Sequence, residues 1–196
     1  VGSEMCIRDR YIMNAKDLCM IDHIPELLAA GVDSLKLEGR AKSSYYVAVV
    51  TNAYRSAVDA YLQQPEGFVL PEWIREEVYK VSHRGYCTGF FFGKPESGQR
   101  YTDNSYDRSF DVIAIADDWR DGMLYVTQRN RFFAEDTVEL LAPEQQPISI
   151  PLNGNLFDET GERITVANHA MMACAFPCPV AVSTGTIVRK LSLIHI

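Results

Sequence analysis

Apolar and polar positions change rhythm along this 196-residue chain, and the change divides it. In the first third the spacing is that of alternating strands and helices. Asp22-His-Ile-Pro-Glu-Leu-Leu-Ala-Ala-Gly31 predicts a helix with Asp22 as cap, Pro25 in the first turn, Ile24, Leu27 and Leu28 as its buried stripe and Gly31 as its stop. Val32 to Glu38 has the length and the rough alternation of a strand. Gly39 to Ser44 predicts a loop ending in helix-capping serines. From Tyr45 to Leu62, Val47, Val50, Tyr54, Ala57, Val58 and Tyr61 recur at helical spacing. With Tyr11-Ile-Met-Asn14 as an earlier strand end, the order strand, helix, strand, helix implies a parallel β/α arrangement.

The middle of the chain is punctuated differently. Residues 63–71 hold two prolines and a glycine and predict a linker. Glu72 to Val81 predicts a short amphipathic helix with Trp73, Ile74, Val78 and Val81 inward, and Ser82 to Gly93, glycine-rich and aromatic, predicts an ordered loop that packs its phenylalanines. From Phe110 the runs shorten to strand length: Phe110–Ala116, Met123–Gln128, Thr137–Leu141, Ile148–Leu152, Ile164–Val166, Met171–Phe176 and Val180–Val188. Asp121-Gly122 and Thr160-Gly161 mark tight turns between them. Seven short strands predict a small antiparallel barrel or sandwich.

Composition narrows the class. The chain is 47% hydrophobic and 23% charged, which excludes disorder and leaves enough apolar side chain for a core. No apolar run reaches the length of a membrane span, so a soluble, cytoplasmic protein with no membrane partner is expected. A net charge of -7 argues against broad nonspecific nucleic-acid binding while leaving room for a local basic site. Five scattered cysteines are too few for a disulfide scaffold, so reduced thiols are expected.

Neither end of the chain patterns with its neighbours. Met5 to Arg10 can be encoded by ATGTGTATAAGAGACAG, and the reverse complement of that string opens a frame for Leu191 to Ile196. One DNA element read on both strands accounts for both ends, and it resembles the mosaic end of a transposase library adapter. Residues 1–10 and 191–196 are therefore expected to be adapter-derived, and residues 11–190 to be a fragment of a longer product.

Tyr11-Ile-Met-Asn-Ala-Lys-Asp-Leu-Cys19, His23-Ile-Pro-Glu-Leu27, Gly31-Val-Asp-Ser-Leu-Lys-Leu-Glu-Gly-Arg40 and Lys42-Ser-Ser-Tyr-Tyr-Val47 closely resemble the collagenase-like peptidase family U32. Val81-Ser-His-Arg-Gly-Tyr-Cys-Thr-Gly-Phe90 and Gln128-Arg-Asn-Arg-Phe132 continue the resemblance in order. It implies the last β/α units of a TIM-like barrel over residues 11–62, a linking region over 63–109 and a C-terminal β-barrel domain over 110–190. Relatives hydroxylate RNA bases, with prephenate as a partner for wobble uridine in tRNA, or act in ubiquinone hydroxylation. The resemblance thus implies, for the intact protein, iron–sulfur-dependent RNA hydroxylation on tRNA or rRNA, with the cluster's cysteine ligands upstream of this fragment. A genuine peptidase, and an RNA- or protein-binding β-barrel without catalysis, are the alternatives. The fragment alone is expected to be inactive. A barrel without its early strands leaves an edge and apolar faces uncovered, and so predicts poor solubility of residues 11–190.

In β/α barrels chemistry sits after the strands, which draws attention to the loops following Met13 and Leu37. Lys16, Asp17 and Glu38 are the candidate catalytic groups there, and Asn14, Arg40 and Lys42 the candidate substrate-binding groups. Arginine and lysine beside backbone amides suit a carboxylate or a phosphate; pairing of Lys16-Asp17 with Glu38-Arg40 across a rim is the structural alternative. His83, Arg84 and Tyr86 put an imidazole, a guanidinium and a stacking ring within four residues, fit either to close over a substrate or to plug the barrel. Gln128-Arg-Asn-Arg-Phe-Phe133 makes Arg129 and Arg131 candidate RNA contacts, with Arg100 and Arg108 as possible neighbours, or else scattered solubilising charge. Cys19 and Cys87 are expected as small buried residues. Cys174-Ala-Phe-Pro-Cys178 lacks a second pair or a near histidine beyond His169, so no metal site is expected in the fragment. No nucleophile elbow, zinc-protease helix or phosphate-binding loop occurs.

Overall fold

The computed structural model describes residues 15–94 and 109–192. The chain forms two compact units, Val1–Ser109 and Phe110–Ile196.

In the first unit, β1 (Asp17–Leu18) leads through a 3-10 turn (Ile21–His23) into α1 (Ile24–Ala29). Pro25 occupies the first turn and Gly31, at φ +81°, ends it. Asp22 does not cap this helix: it lies in the 3-10 turn and pairs with Arg75 at 2.8 Å, and His23 takes the capping position without a side-chain bond. α2 (Ser44–Gln63) starts where the serines predict, with Ser43 Oγ accepting from the Tyr46 N–H at 3.2 Å. Its buried stripe is Val49, Val50, Ala53 and Ala57, and Val47 is exposed instead of inward. α3 (Glu72–Tyr79) brings Ile74 and Val78 against Ile21, Ile24, Ala53 and Ala57 to make the unit's core.

Two expectations fail here. Residues 32–38 form no strand, because a strand exists by its ladder and none of the described backbone runs alongside them. The partner of β1 is instead β2 (Tyr86–Cys87), inside the segment expected as loop, and the pair is parallel. The phenylalanines expected to pack are largely exposed: Phe90, Phe91 and Phe92 each keep most of their surface in solvent, although Phe92 also meets the His23 ring. The described residues of this unit therefore show one two-residue parallel pair and three helices, without the ring of strands a barrel needs.

The second unit is antiparallel throughout. A seven-stranded sheet runs β7 (Ile148–Pro151), β6 (Thr137–Leu141), β11 (Ile187–Leu191), β3 (Phe110–Arg120), β4 (Met123–Gln128), β10 (Ala173–Pro177), β8 (Phe157–Asp158). β5 (Phe132–Phe133) and β9 (Val166–Ala167) pair separately. Asp121 and Gly122, at φ 53° and 76°, make the tight hairpin between β3 and β4 that their sequence predicts. Alternation along β4 buries Leu124, Val126 and Gln128, and the first two join Ile113, Leu140, Phe132, Phe176 and Val188 in one core. β3 runs four residues beyond its apolar stretch because it pairs with β4 through a register shift at Ala116/Asp118. The last strand starts at Ile187 instead of Val180, after the Thr184-Gly185 turn whose glycine N–H bonds Ala116 O at 2.8 Å. Among the described residues no helix is long and apolar enough to cross a membrane.

Candidate functional site

The β1–β2 pairing builds the charged site of the first unit. Asp17 N–H donates to Gly85 O at 2.9 Å, which seats the Asp17 carboxylate beside the backbone of residues 84–85. That carboxylate accepts from the Arg84 N–H at 3.3 Å and from its guanidinium at 3.2 Å. Lys42, arriving just before α2, places its Nζ 3.7 Å from Asp17 and donates to Ser82 O at 2.9 Å. The Lys16 side chain runs past Gly85, its stem 4.0 Å from where a β-carbon on that glycine would stand. Lys42 and Arg84, from two distant segments, thus meet at the Asp17 carboxylate.

Glu38 and Arg40 form a second, local unit. Arg40 N–H donates to Glu38 Oε1 at 2.7 Å, closing a turn over Gly39. Gly39 is required there, since a β-carbon would stand 2.6 Å from Val47 Cγ2 of α2. Asp17, Glu38, Arg40 and Lys42 line a single open cavity of about 770 Å³, within the range of small-molecule sites. Its walls are largely apolar, and Lys36, Arg40 and Lys42 add three cations against the two carboxylates. Such a cavity suits a ligand with an apolar body and an anionic head.

His83 and Tyr86 have polar atoms engaged within the first unit. His83 is buried, accepts the Gly85 N–H on Nδ1 at 3.0 Å and stacks on Tyr86 with centroids 4.5 Å apart. Tyr86 donates its hydroxyl to Val78 O at 2.6 Å. Both rings shape the loop that carries Arg84; of the two, Tyr86 also lines the cavity. Asn14, Arg100 and Arg108 lie outside the described residues.

Sequence reasoning passed over Tyr54. Its hydroxyl accepts the Met20 N–H at 2.8 Å and donates to Cys19 Sγ at 3.7 Å, at the cavity wall. Burial is the main reason the Cys19 thiol ionises above its ordinary range, and burial likewise raises Tyr54. Cys19 is therefore a protonated thiol at neutral pH. The available signal was a tyrosine on the inward stripe of a helix, whose hydroxyl needs a partner when buried.

In the second unit, Arg129 lies against the Met171 sulfur and Arg131 sits 5.5 Å over the Phe133 ring, both exposed. Cys174 and Cys178 are buried, donating weakly to Met172 O and Val180 O, and burial pushes Cys174 up to about 11. Among the described residues no group of three or more His, Cys, Asp or Glu side chains is placed to hold a metal ion.

Similarity to known proteins covers both units. The chain is 34% identical over 184 residues to tRNA hydroxylation protein P1 of Bacillus subtilis, covering 92% of this chain and 43% of that protein. It is 38% identical over 117 residues to a protein named as a protease from Methanocaldococcus jannaschii, covering 60% of this chain and 26% of that one. It therefore spans less than half the length of these relatives. Among solved structures, the C-terminal domain of a U32 peptidase from Geobacillus thermoleovorans aligns with a TM-score of 0.39 at 23% identity, over 41% of this chain and 99% of that domain. Residues 2–101 match the profile of peptidase family U32, and residues 108–189 match that of the peptidase family U32 C-terminal domain. With both profiles matched in order, the chain belongs to peptidase family U32.

Proposed function

We propose that this chain is part of an enzyme that hydroxylates a base in tRNA, and that the cavity of the first unit holds a small carboxylate co-substrate of the prephenate kind. The observation that carries this reading is the cavity in which Arg40 and Lys42 rim an apolar chamber, on a chain similar to tRNA hydroxylation proteins. Arg40, an exposed residue of the cavity lining, grips the carboxylate; Lys42 is the second cation. Asp17 and Glu38, which line the cavity, are the acid–base groups that face the ligand, and Lys16 is the third, beside Gly85. Arg84 positions Asp17 by donating both its backbone N–H and its guanidinium to the Asp17 carboxylate. Arg129 and Arg131 contact RNA.

Residues 11–62 are in this reading the closing units of a TIM-like β/α barrel, and residues 32–38 gain their strand ladder only beside the other barrel strands. Residues 63–109 connect them to a C-terminal β-barrel domain over 110–190. The iron–sulfur ligands lie in a part of the protein beyond the described residues, and the enzyme works in the cytoplasm.

The test is made on the intact protein from the complete reading frame, purified without oxygen. Iron and sulfide are quantified, and tRNA from cells lacking the gene is examined by mass spectrometry after complementation. Restoration of the hydroxylated nucleoside by the wild type and its loss in Arg40→Ala, with protein level unchanged, is the expected result. Intact tRNA chemistry unaffected by deletion of the gene, together with cleavage of gelatin by the purified protein, overturns it in favour of a peptidase.

A further inference from the structure

We propose that Phe133, on the short β5–β9 ribbon of the second unit, is a stacking platform for a base of single-stranded RNA, with Arg131 and Lys190 as its cationic flanks. This rests on the reading above that the protein acts on RNA, and it names the surface that meets the strand.

The pairing of Phe132 with Ala167 and of Phe133 with Val166 sends adjacent side chains to opposite faces. Phe132 is completely buried in the core, whereas Phe133 is 42% exposed. An exposed ring of this size is unusual only when its surroundings are also specific, and here they are. The Arg131 guanidinium stands 5.5 Å and the Lys190 ammonium 5.3 Å from the ring centroid, both within cation–π range. Asp136 fixes the arrangement: one carboxylate oxygen accepts the Phe133 N–H at 2.7 Å and the Lys190 Nζ at 2.6 Å. The ring is thus held on a rigid ribbon and flanked by cations, on a chain whose net charge is -7. Arg129 and the exposed Met171, in contact with each other, extend the cationic and apolar character from the end of β4.

An aromatic ring beside cations is what a sequence-tolerant single strand requires, because bases stack on the ring while phosphates take the charge. A base on Phe133 replaces the cover that Arg131 gives the ring and frees that guanidinium for the neighbouring phosphate. A duplex offers no splayed base and gains only the charge. Asp136 is a positioning residue in this scheme.

The probe is a fluorescein-labelled oligouridylate of about twelve nucleotides, titrated into the intact protein by anisotropy at several salt concentrations. Phe133→Ala is expected to weaken binding roughly ten-fold or more with the salt slope unchanged. Arg131→Gln is expected to weaken binding and to lower the slope by about 0.7, the value of one phosphate contact on a single strand. Phe133→Trp is expected to bind and to lose fluorescence when the oligonucleotide stacks on it. Equal affinity of Phe133→Ala and wild type, or an unresponsive Phe133→Trp that still binds, overturns the inference even where the tRNA is hydroxylated. Phe133-dependent binding in a protein that leaves tRNA unmodified sustains it and overturns the proposed activity instead.

Discussion

Arg189 of the second unit is fully buried, bonded through Nε and Nη2 to Glu139 at 3.0 and 2.7 Å and lying 4.8 Å over the Phe110 ring. Asp17 of the first unit also meets a guanidinium, at 3.2 Å, and the two carboxylates are about equally exposed, Asp17 at 16% and Glu139 at 19%; the difference lies in the cations, since Arg84 keeps 30% of its side chain in solvent and Arg189 none. The chemistry of the two pairs is alike and their surroundings are not. Arg189 is fully enclosed, with Glu139 bonded to it and the Phe110 ring against it, so its guanidinium is a fixed part of the packing. Around Asp17 the surface opens into a cavity of about 770 Å³, so its charges remain accessible to a ligand. An ion pair signals a site only where the core around it stops.

The sharpest test of that division uses neighbours in sequence. Phe132→Ala removes a ring from the core of the second unit and is expected to cost about 3–5 kcal/mol. Phe133→Ala, one residue on, removes an exposed ring and is expected to stay within about 0.5 kcal/mol. Urea unfolding of the two variants measures both. Equal losses would break the assignment of one ring to packing and the other to solvent.

The ion pairs come next. Glu139→Gln leaves a buried guanidinium without its counter-charge and is expected to cost about 3 kcal/mol. Asp17→Asn leaves two cations that water can still reach, and an effect of about 1 kcal/mol or less is expected. A comparable loss at Asp17, in the same denaturation assay, would mean that its cluster is structural and would weaken the case for a ligand there.

The same division explains what could be read from the residues alone. α2, α3 and β4 were legible because each closes its own hydrogen bonds or its own hairpin: the capping Ser43, the inward Ile74 and Val78 and the Asp121-Gly122 turn are local signals. Residues 32–38 carry a strand's pattern, but a strand needs a neighbour, and pattern does not supply one. β5 and β8 were missed because two-residue strands leave no period to detect. Within the site, the position after expected barrel strands singled out Asn14, Lys16, Asp17, Glu38, Arg40 and Lys42; Asn14 lies outside the described residues, and the structure lines one cavity with all of the others except Lys16. Sequence could not show that His83 and Tyr86 spend their polar atoms on Gly85 and Val78, because that follows from the non-local β1–β2 pairing. Tyr54 escaped for the converse reason, since its helical spacing explained it as packing and left its hydroxyl unconsidered.

A smaller effect probes whether α2 holds its own start. Ser43→Ala removes the acceptor for the Tyr46 N–H and is expected to cost about 1 kcal/mol. Because Lys42 precedes the cap directly, loosening it also loosens the clamp from Lys42 to Ser82 O. Hydrogen exchange over residues 43–47 should rise in this variant while exchange in β3 and β4 stays unchanged. Faster exchange in both units would show that their stabilities are not separable.

The smallest expected effect lies on the solvent face of α2, where Arg55 bonds Asp59 one turn on, both side chains more than a third exposed. Geometry alone would rank this pair with Arg189–Glu139, since the Arg55 Nε bond is 2.7 Å. Solvent and side-chain entropy offset most of the attraction at such a position, and i,i+4 pairs contribute about 0.3–0.5 kcal/mol. A double-mutant cycle with Arg55→Ala and Asp59→Ala should return a coupling in that range at low salt and less at 1 M, where screening shortens to about 3 Å. The corresponding coupling between Arg189 and Glu139 should be several times larger and less sensitive to salt, because the guanidinium is fully buried. If the two couplings prove equal, burial is not what separates the two kinds of charge in this protein, and the openness of the Asp17 cavity loses its force as evidence for a ligand.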